Sequence, residues 1–143
     1  MQELNTRPKN NRNRQVPLVK MIVERTRTGF SAYSPDYPFC TTGEDIPELL
    51  NNSLEVSNFY FEDYNIEIGP EAIQFEIDFQ QFFQYYKVLN SKFLAKRIGM
   101  NPTLLSQYVQ GHKKPSRKQT EKILAGIHQI GKELAEINLI YER

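Results

Sequence analysis

Seven side chains are the candidates for catalysis in this sequence: Asp36, Asp45, Glu76, Asp78, Cys40, His112 and His128. Carboxylates hold magnesium for hydrolysis when several converge on one ion. Glu76 and Asp78 lie two apart on one polar face, but no spacing ties them to Asp36 or Asp45. Cys40 stands among aromatic residues, where a small buried side chain is expected rather than a nucleophile. His112 sits among lysines as a phosphate neighbour, and His128 has no partner in its segment. One cysteine and two distant histidines cannot form a zinc set, and no Gly-rich phosphate loop occurs. The expectation is therefore no enzyme, no metal and no cofactor. A second group suits binding. Asn101, Thr103, Ser106 and Gln107 offer amides and hydroxyls for base edges, and Ser91, Lys92, Gln110, His112, Lys113, Lys114 and Ser116 suit a phosphate backbone.

Three short helices would have to position that second group. Ser91 is the expected N-cap of the first, with Leu94, Ala95 and Ile98 as its apolar stripe and Gly99 at its left-handed end. Asn101 caps the second, with Pro102 at its first position, Leu104, Leu105, Tyr108 and Val109 inside it, and Gly111 closing it. A third starts at Ser116, where Ser-x-x-Gln with Gln119 has the form of a capping box. If Leu105 and Tyr108 face the core, Thr103, Ser106, Gln107 and Gln110 point outward. The alternative is three amphipathic helices of an unrelated bundle, and the charge distribution weighs against it. The order Leu94-Ala95, Gly99, Leu105-Ser106, Gly111, Pro115-Ser116 resembles the Xre/Cro-type helix-turn-helix family. That resemblance implies sequence-specific DNA binding, with the second helix in the major groove.

Length and charge bound the rest. The 143 residues allow one ordinary domain or two small ones, and 39% hydrophobic with 12% aromatic residues is enough for packed cores. The net charge of +1 hides a division. From Thr28 to Tyr86 there are eleven acidic residues and no lysine or arginine, whereas Lys87 to Glu133 carries ten basic residues against Glu121 and Glu133. Two modules with different partners are expected, one anionic and one cationic. No run of about 18 apolar residues and no apolar leader is present, so neither a membrane span nor a signal peptide is expected, and the cytoplasm is the default.

Residues 1–17 are rich in Asn, Arg and Gln without apolar periodicity and read as a disordered basic arm. A hairpin is expected from Leu18–Val23 and Phe30–Ser34, followed by the proline-bounded loop through Cys40. Asp45 and Glu48 start an amphipathic helix over about Ile46–Glu62, with Leu49, Leu50, Leu54, Val56 and Phe59 as its apolar residues. Ile73, Phe75, Ile77 and Phe79 alternate with polar residues as a half-buried strand, and a helix follows from about Gln80 to Leu89. The expected fold class is α+β, with a β-β-α-β domain over residues 18–79 and an all-α domain over 80–143.

The run Tyr33-x-Pro35-Asp36-x-Pro38-x-Cys40 after a hairpin, then Gly43, a helix start and Glu48-x-Leu50, resembles the N-terminal domain of HicB-type antitoxins. The resemblance implies a partial ribonuclease-H-like fold. It also implies that this domain covers a HicA-type toxin, a small basic ribonuclease, and that the protein represses its own operon. Tyr33, Pro35, Asp36, Tyr37 and Phe39 are then the candidate toxin contacts. An acidic domain suits such a basic partner on charge alone. The rival reading is a stand-alone regulator whose N-terminal domain senses a small molecule or serves assembly.

The last helix starts at Arg117 and spaces Ile123, Ile127, Ile130, Leu134, Ile137 and Tyr141 alternately four and three apart, a heptad seam. Ile123 and Ile127 are expected in the core of their own domain, and Ile130, Leu134, Ile137 and Tyr141 at a homodimer contact. Gly126 and Gly131 each cost such a helix about 1 kcal/mol relative to alanine, so something outside it must favour the helical state.

Overall fold

The chain is seen in a computed structural model that describes residues 15–137. Most of the expected arm, and Tyr141, lie outside the described residues. Contacts divide the chain into two compact units between Ile77 and Asp78.

The first unit is built on a hairpin. Strands β1 (Val19–Thr26) and β2 (Gly29–Tyr33) pair antiparallel with Val23 opposite Ala32. A third strand, β3 (Cys40–Gly43), pairs antiparallel with β2, and β4 (Ile73–Ile77) runs parallel to β1. The sheet order is β3-β2-β1-β4. The expected β-β-α-β order is thus corrected to β-β-β-α-β. Cys-Thr-Thr-Gly is too short and too polar to carry an alternating signal, and only its pairing with β2 makes it a strand. Period-two alternation is clear on β1, where Val19, Met21 and Val23 are buried and the residues between them are not.

Helix α1 (Ile46–Phe61) lies against this sheet. Asp45 caps it, its Oδ1 accepting from the Glu48 N–H at 2.8 Å, and Glu48 Oε2 in turn accepts from the Glu44 N–H at 3.2 Å. The buried face is Leu49, Ser53, Ser57 and Phe61, four residues apart; of the expected stripe Leu49 is on it, Leu50, Leu54 and Val56 are half-buried, and Phe59 is 80% exposed. Two serines let the helix approach the sheet closely, so burial follows side-chain size rather than hydropathy. Ser57 Oγ donates to the Ser53 carbonyl at 2.6 Å, which makes its burial tolerable. From the last turn of α1, the Asn58 side chain grips both backbone groups of Ile68, accepting from its N–H at 2.7 Å and donating to its carbonyl at 3.0 Å. That clamp holds Ile68 in the core with Met21, Leu49, Phe61 and Ala72. Each such large apolar side chain contributes about 1.5–3 kcal/mol on burial.

The second unit is helical: α2 (Phe79–Tyr85), α3 (Ser91–Ile98), α4 (Pro102–Val109) and α5 (Arg117–Glu136). Asp78 Oδ1 caps α2 through the Gln81 N–H at 3.0 Å. The helix ends at Tyr85 and not at Leu89 as expected, since Tyr86 leaves the helical region and no glycine marks the stop. Phe79, Phe83, Leu94, Ala95, Met100, Leu105, Tyr108 and Ile123 are this unit's buried apolar side chains. The fold is therefore α+β, with a four-stranded mixed sheet and five α-helices among the described residues. No helix among them is long and apolar enough to cross a membrane.

Candidate nucleic-acid interface

Local chemistry fixes both ends of α3 and α4. Asn90, not Ser91, caps α3: its Oδ1 accepts from the Phe93 N–H at 3.2 Å, which moves the expected cap back by one residue. Both residue types cap well, and the sequence could not choose between neighbours. At the other end Gly99 takes φ +68°, and the N–H of Met100 reaches the Ala95 carbonyl at 2.9 Å while Met100 itself is buried. This is a Schellman closure with its apolar contact. The Gly99 carbonyl also accepts from Lys122 Nζ of α5 at 3.4 Å.

Two residues further on, Asn101 Oδ1 accepts from the N–H groups of Thr103 (2.8 Å) and Leu104 (3.4 Å), with Pro102 at the first helical position. Leu105 and Tyr108 of α4 are buried, Thr103 and Gln110 are exposed, and Ser106 and Gln107 are half-buried. Of the four residues expected to face outward, Thr103 and Gln110 are exposed, and Ser106 and Gln107 are covered as far as Leu104 and Val109. The Asn101 oxygen, however, serves the cap, which leaves its amide nitrogen for a ligand. After α4 the N–H groups of His112 (2.9 Å) and Lys113 (3.2 Å) both reach the Gln107 carbonyl. These two bonds hold the basic loop against the end of α4 and leave the His112, Lys113 and Lys114 side chains exposed. Ser116 Oγ is occupied in capping α5 through the Gln119 N–H at 3.2 Å.

The four candidate carboxylates do not form one site. Asp45 and Asp78 cap helices, Glu76 pairs with Lys20 at 3.5 Å, and Asp36 is exposed in its loop. Among the described residues no three acidic, His or Cys side chains are grouped to hold a metal. Cys40 is exposed on β3, opposite Tyr33, and not buried as expected. A strand at the sheet edge turns this side chain away from the α1 face.

No family model matches this chain, and neither does any curated protein or solved structure. What the site can do must come from its own geometry. Lys92, Lys96, Arg97, Lys113, Lys114, Arg117, Lys118 and Lys122 are all exposed on the unit that carries α4. Arg97 is held by Glu133 and Arg117 by Glu121 at 3.2 Å, so these two guanidiniums are partly neutralised.

The candidate contacts on the first unit are split. Ser34 orders their loop: its Oγ accepts from the N–H groups of Asp36 (3.3 Å) and Tyr37 (3.0 Å), and its own N–H reaches the Phe39 carbonyl at 3.0 Å. Tyr33, Pro35 and Asp36 are exposed, whereas Tyr37 and Phe39 are half-buried against Tyr60 and Phe61. The ring cluster they join also includes Tyr64 and was not foreseen. Its one signal in the sequence is Tyr60 and Tyr64 standing four apart at a helix end, beside Glu62 and Asp63. On α5, Ile123 is buried, Ile127 and Ile130 are half-buried and Leu134 is 62% exposed, while Ile137, expected on the helical seam, lies past the helix end in extended backbone and is 58% exposed.

Proposed function

We propose that this protein is an antitoxin and autorepressor: its basic helical unit binds operator DNA, and its acidic unit masks a HicA-like ribonuclease of basic character. The observation that carries the reading is α4, anchored by Leu105 and Tyr108 and presenting a capped N-terminus with exposed Thr103 and Gln110 and half-exposed Ser106 and Gln107. A polar helix face of this kind matches base edges, and the tethered lysines beside it match phosphates. The pairing of α3 and α4 through a three-residue turn supports an Xre-type helix-turn-helix in this role. Segregated charge supports the second activity, because a ribonuclease that grips RNA presents cations to whatever covers it. Leu134 and Ile137 supply apolar surface for a homodimer, which would set two recognition helices about one DNA turn apart.

The test is a gel shift on the DNA upstream of the reading frame, with and without the product of the neighbouring frame, paired with co-expression of the two. A short basic neighbour that arrests growth alone and is silenced by this protein supports the reading. A harmless neighbour with operator binding retained leaves a stand-alone regulator.

A further inference from the structure

The C-terminal end of α1 breaks a rule of helix electrostatics. A helix ends in a partial negative charge, so cations are favoured in its last turn. Here there is no basic residue in that turn, and Glu62 and Asp63 follow directly in a 3-10 turn. Asn65 closes that turn at φ +52°, a left-handed conformation asparagine tolerates better than most. The backbone dipole and two carboxylates of like sign are thus gathered at one end of the unit.

Aromatic rings lie at the same end. Tyr60 sits 5.6 Å from Tyr37, 5.5 Å from Phe39, 4.9 Å from Phe61 and 6.1 Å from Tyr64, measured between ring centroids. Tyr37 and Phe39 stack at 5.9 Å with their planes 5° apart. Only Phe61 is fully buried; Tyr37, Phe39 and Tyr60 are half-buried, and Tyr64 is 55% exposed. Ring faces attract cations within about 6 Å of their centroids, arginine more often than lysine. This chain uses the same contact itself, with the Arg25 guanidinium 4.4 Å from the centre of Phe30.

We infer that the Tyr37–Phe39–Tyr60–Tyr64 cluster, rimmed by Glu62 and Asp63, is the docking surface for an arginine side chain of the basic protein partner. The inference rests on the masking role proposed for the acidic unit and adds the part of the surface that recognises the partner's charge. The occupant is a guanidinium because the flat rings offer it a stacking face and the carboxylates can take its N–H groups in a fork. No lysine or arginine of this chain between Thr28 and Tyr86 competes for it.

The probes are hexa-arginine and hexa-lysine peptides titrated into the full chain, followed by fluorescence anisotropy and by the aromatic proton shifts of the tyrosines. Hexa-arginine should bind more tightly than hexa-lysine and move the Tyr60 and Tyr64 signals. Tyr64→Leu should weaken hexa-arginine about two- to fivefold, the range of an exposed cation–π contact. Glu62→Gln with Asp63→Asn should weaken it further and flatten its salt dependence, whereas Glu71→Gln, outside the ring cluster, should leave the tyrosine shifts unchanged. Tyr64 is over half exposed and neither carboxylate is buried, so these variants retain the fold. Equal binding of both peptides, indifference to Tyr64→Leu, or an effect of Glu71→Gln matching the double variant overturns the inference. A chain that shows the peptide effects but silences no neighbouring frame sinks the masking role and leaves the surface standing. Silencing without the peptide effects does the reverse.

Discussion

Gly126 and Gly131 lie on the same helix and are equivalent by helix propensity, yet their surroundings are opposite. A methyl at Gly126 would stand 2.3 Å from Ile98 Cγ2 and 3.6 Å from Leu94 Cδ1, whereas nothing lies within 4 Å of one at Gly131. Gly126 is therefore the point where α5 closes on α3, and the close contact offsets its helix cost. Gly131→Ala should raise unfolding stability by up to about 1 kcal/mol, while Gly126→Ala should lower it despite the same gain in propensity. Urea denaturation of the two variants checks the opposite signs. Tyr60 offers a pH test. Desolvation, then the neighbouring Tyr64 and Tyr37 phenols, hold its pKa above the ordinary 10.0. A raised phenol pKa stabilises the fold at lower pH, and that contribution is lost as pH climbs through the folded value. Stability should fall above about pH 10, and Tyr60→Phe should lessen the fall, as read by denaturation across that range.

Elements divide the proposed DNA role into reading and holding. The N–H groups of His112 and Lys113 bond to the Gln107 carbonyl, so the charge of the loop after α4 moves with that helix. Lys113→Ala with Lys114→Ala should weaken binding to all DNA sequences alike and reduce the salt slope by about two phosphate contacts, measured by gel shift at several ionic strengths. Gln107→Ala should instead relax the preference among bases. On α5, burial fades from Ile123 to Leu134 along the seam, and Ile137 lies just past the helix end. Leu134→Glu should shift the protein toward monomer in sedimentation and weaken operator binding more than it weakens binding to a single half-site.

Across the whole molecule, opposite charge on two units would make the two proposed activities separable. The net charge of +1 conceals an acidic stretch without a cation and a basic stretch with two acids. In co-expression, the Lys113/Lys114 double variant should keep its capacity to neutralise the partner, and Glu62→Gln with Asp63→Asn should keep operator binding. Loss of neutralisation in the lysine variant would contradict the division.

Much of this was legible in the sequence because it is local. Asn101 and Pro102, the glycine at 99, Ser116 and the Asp45 start are each decided by one residue's own hydrogen bonds or φ, and charge segregation needs no fold at all. What depended on distant chain segments was not legible. Strand β3 exists only through its pairing with β2, and the buried face of α1 follows two serines because the sheet comes close. The Asn90 cap displaced its neighbour by a choice between near-equal donors' partners. The ring cluster gathers Tyr37 and Phe39 from one loop and Tyr60 and Tyr64 from a helix end twenty or so residues away in sequence. Composition and spacing determined that this protein has a basic helical half and an acidic half. Tertiary packing decided which surfaces each half presents, since contact between remote residues is a property of the folded chain alone.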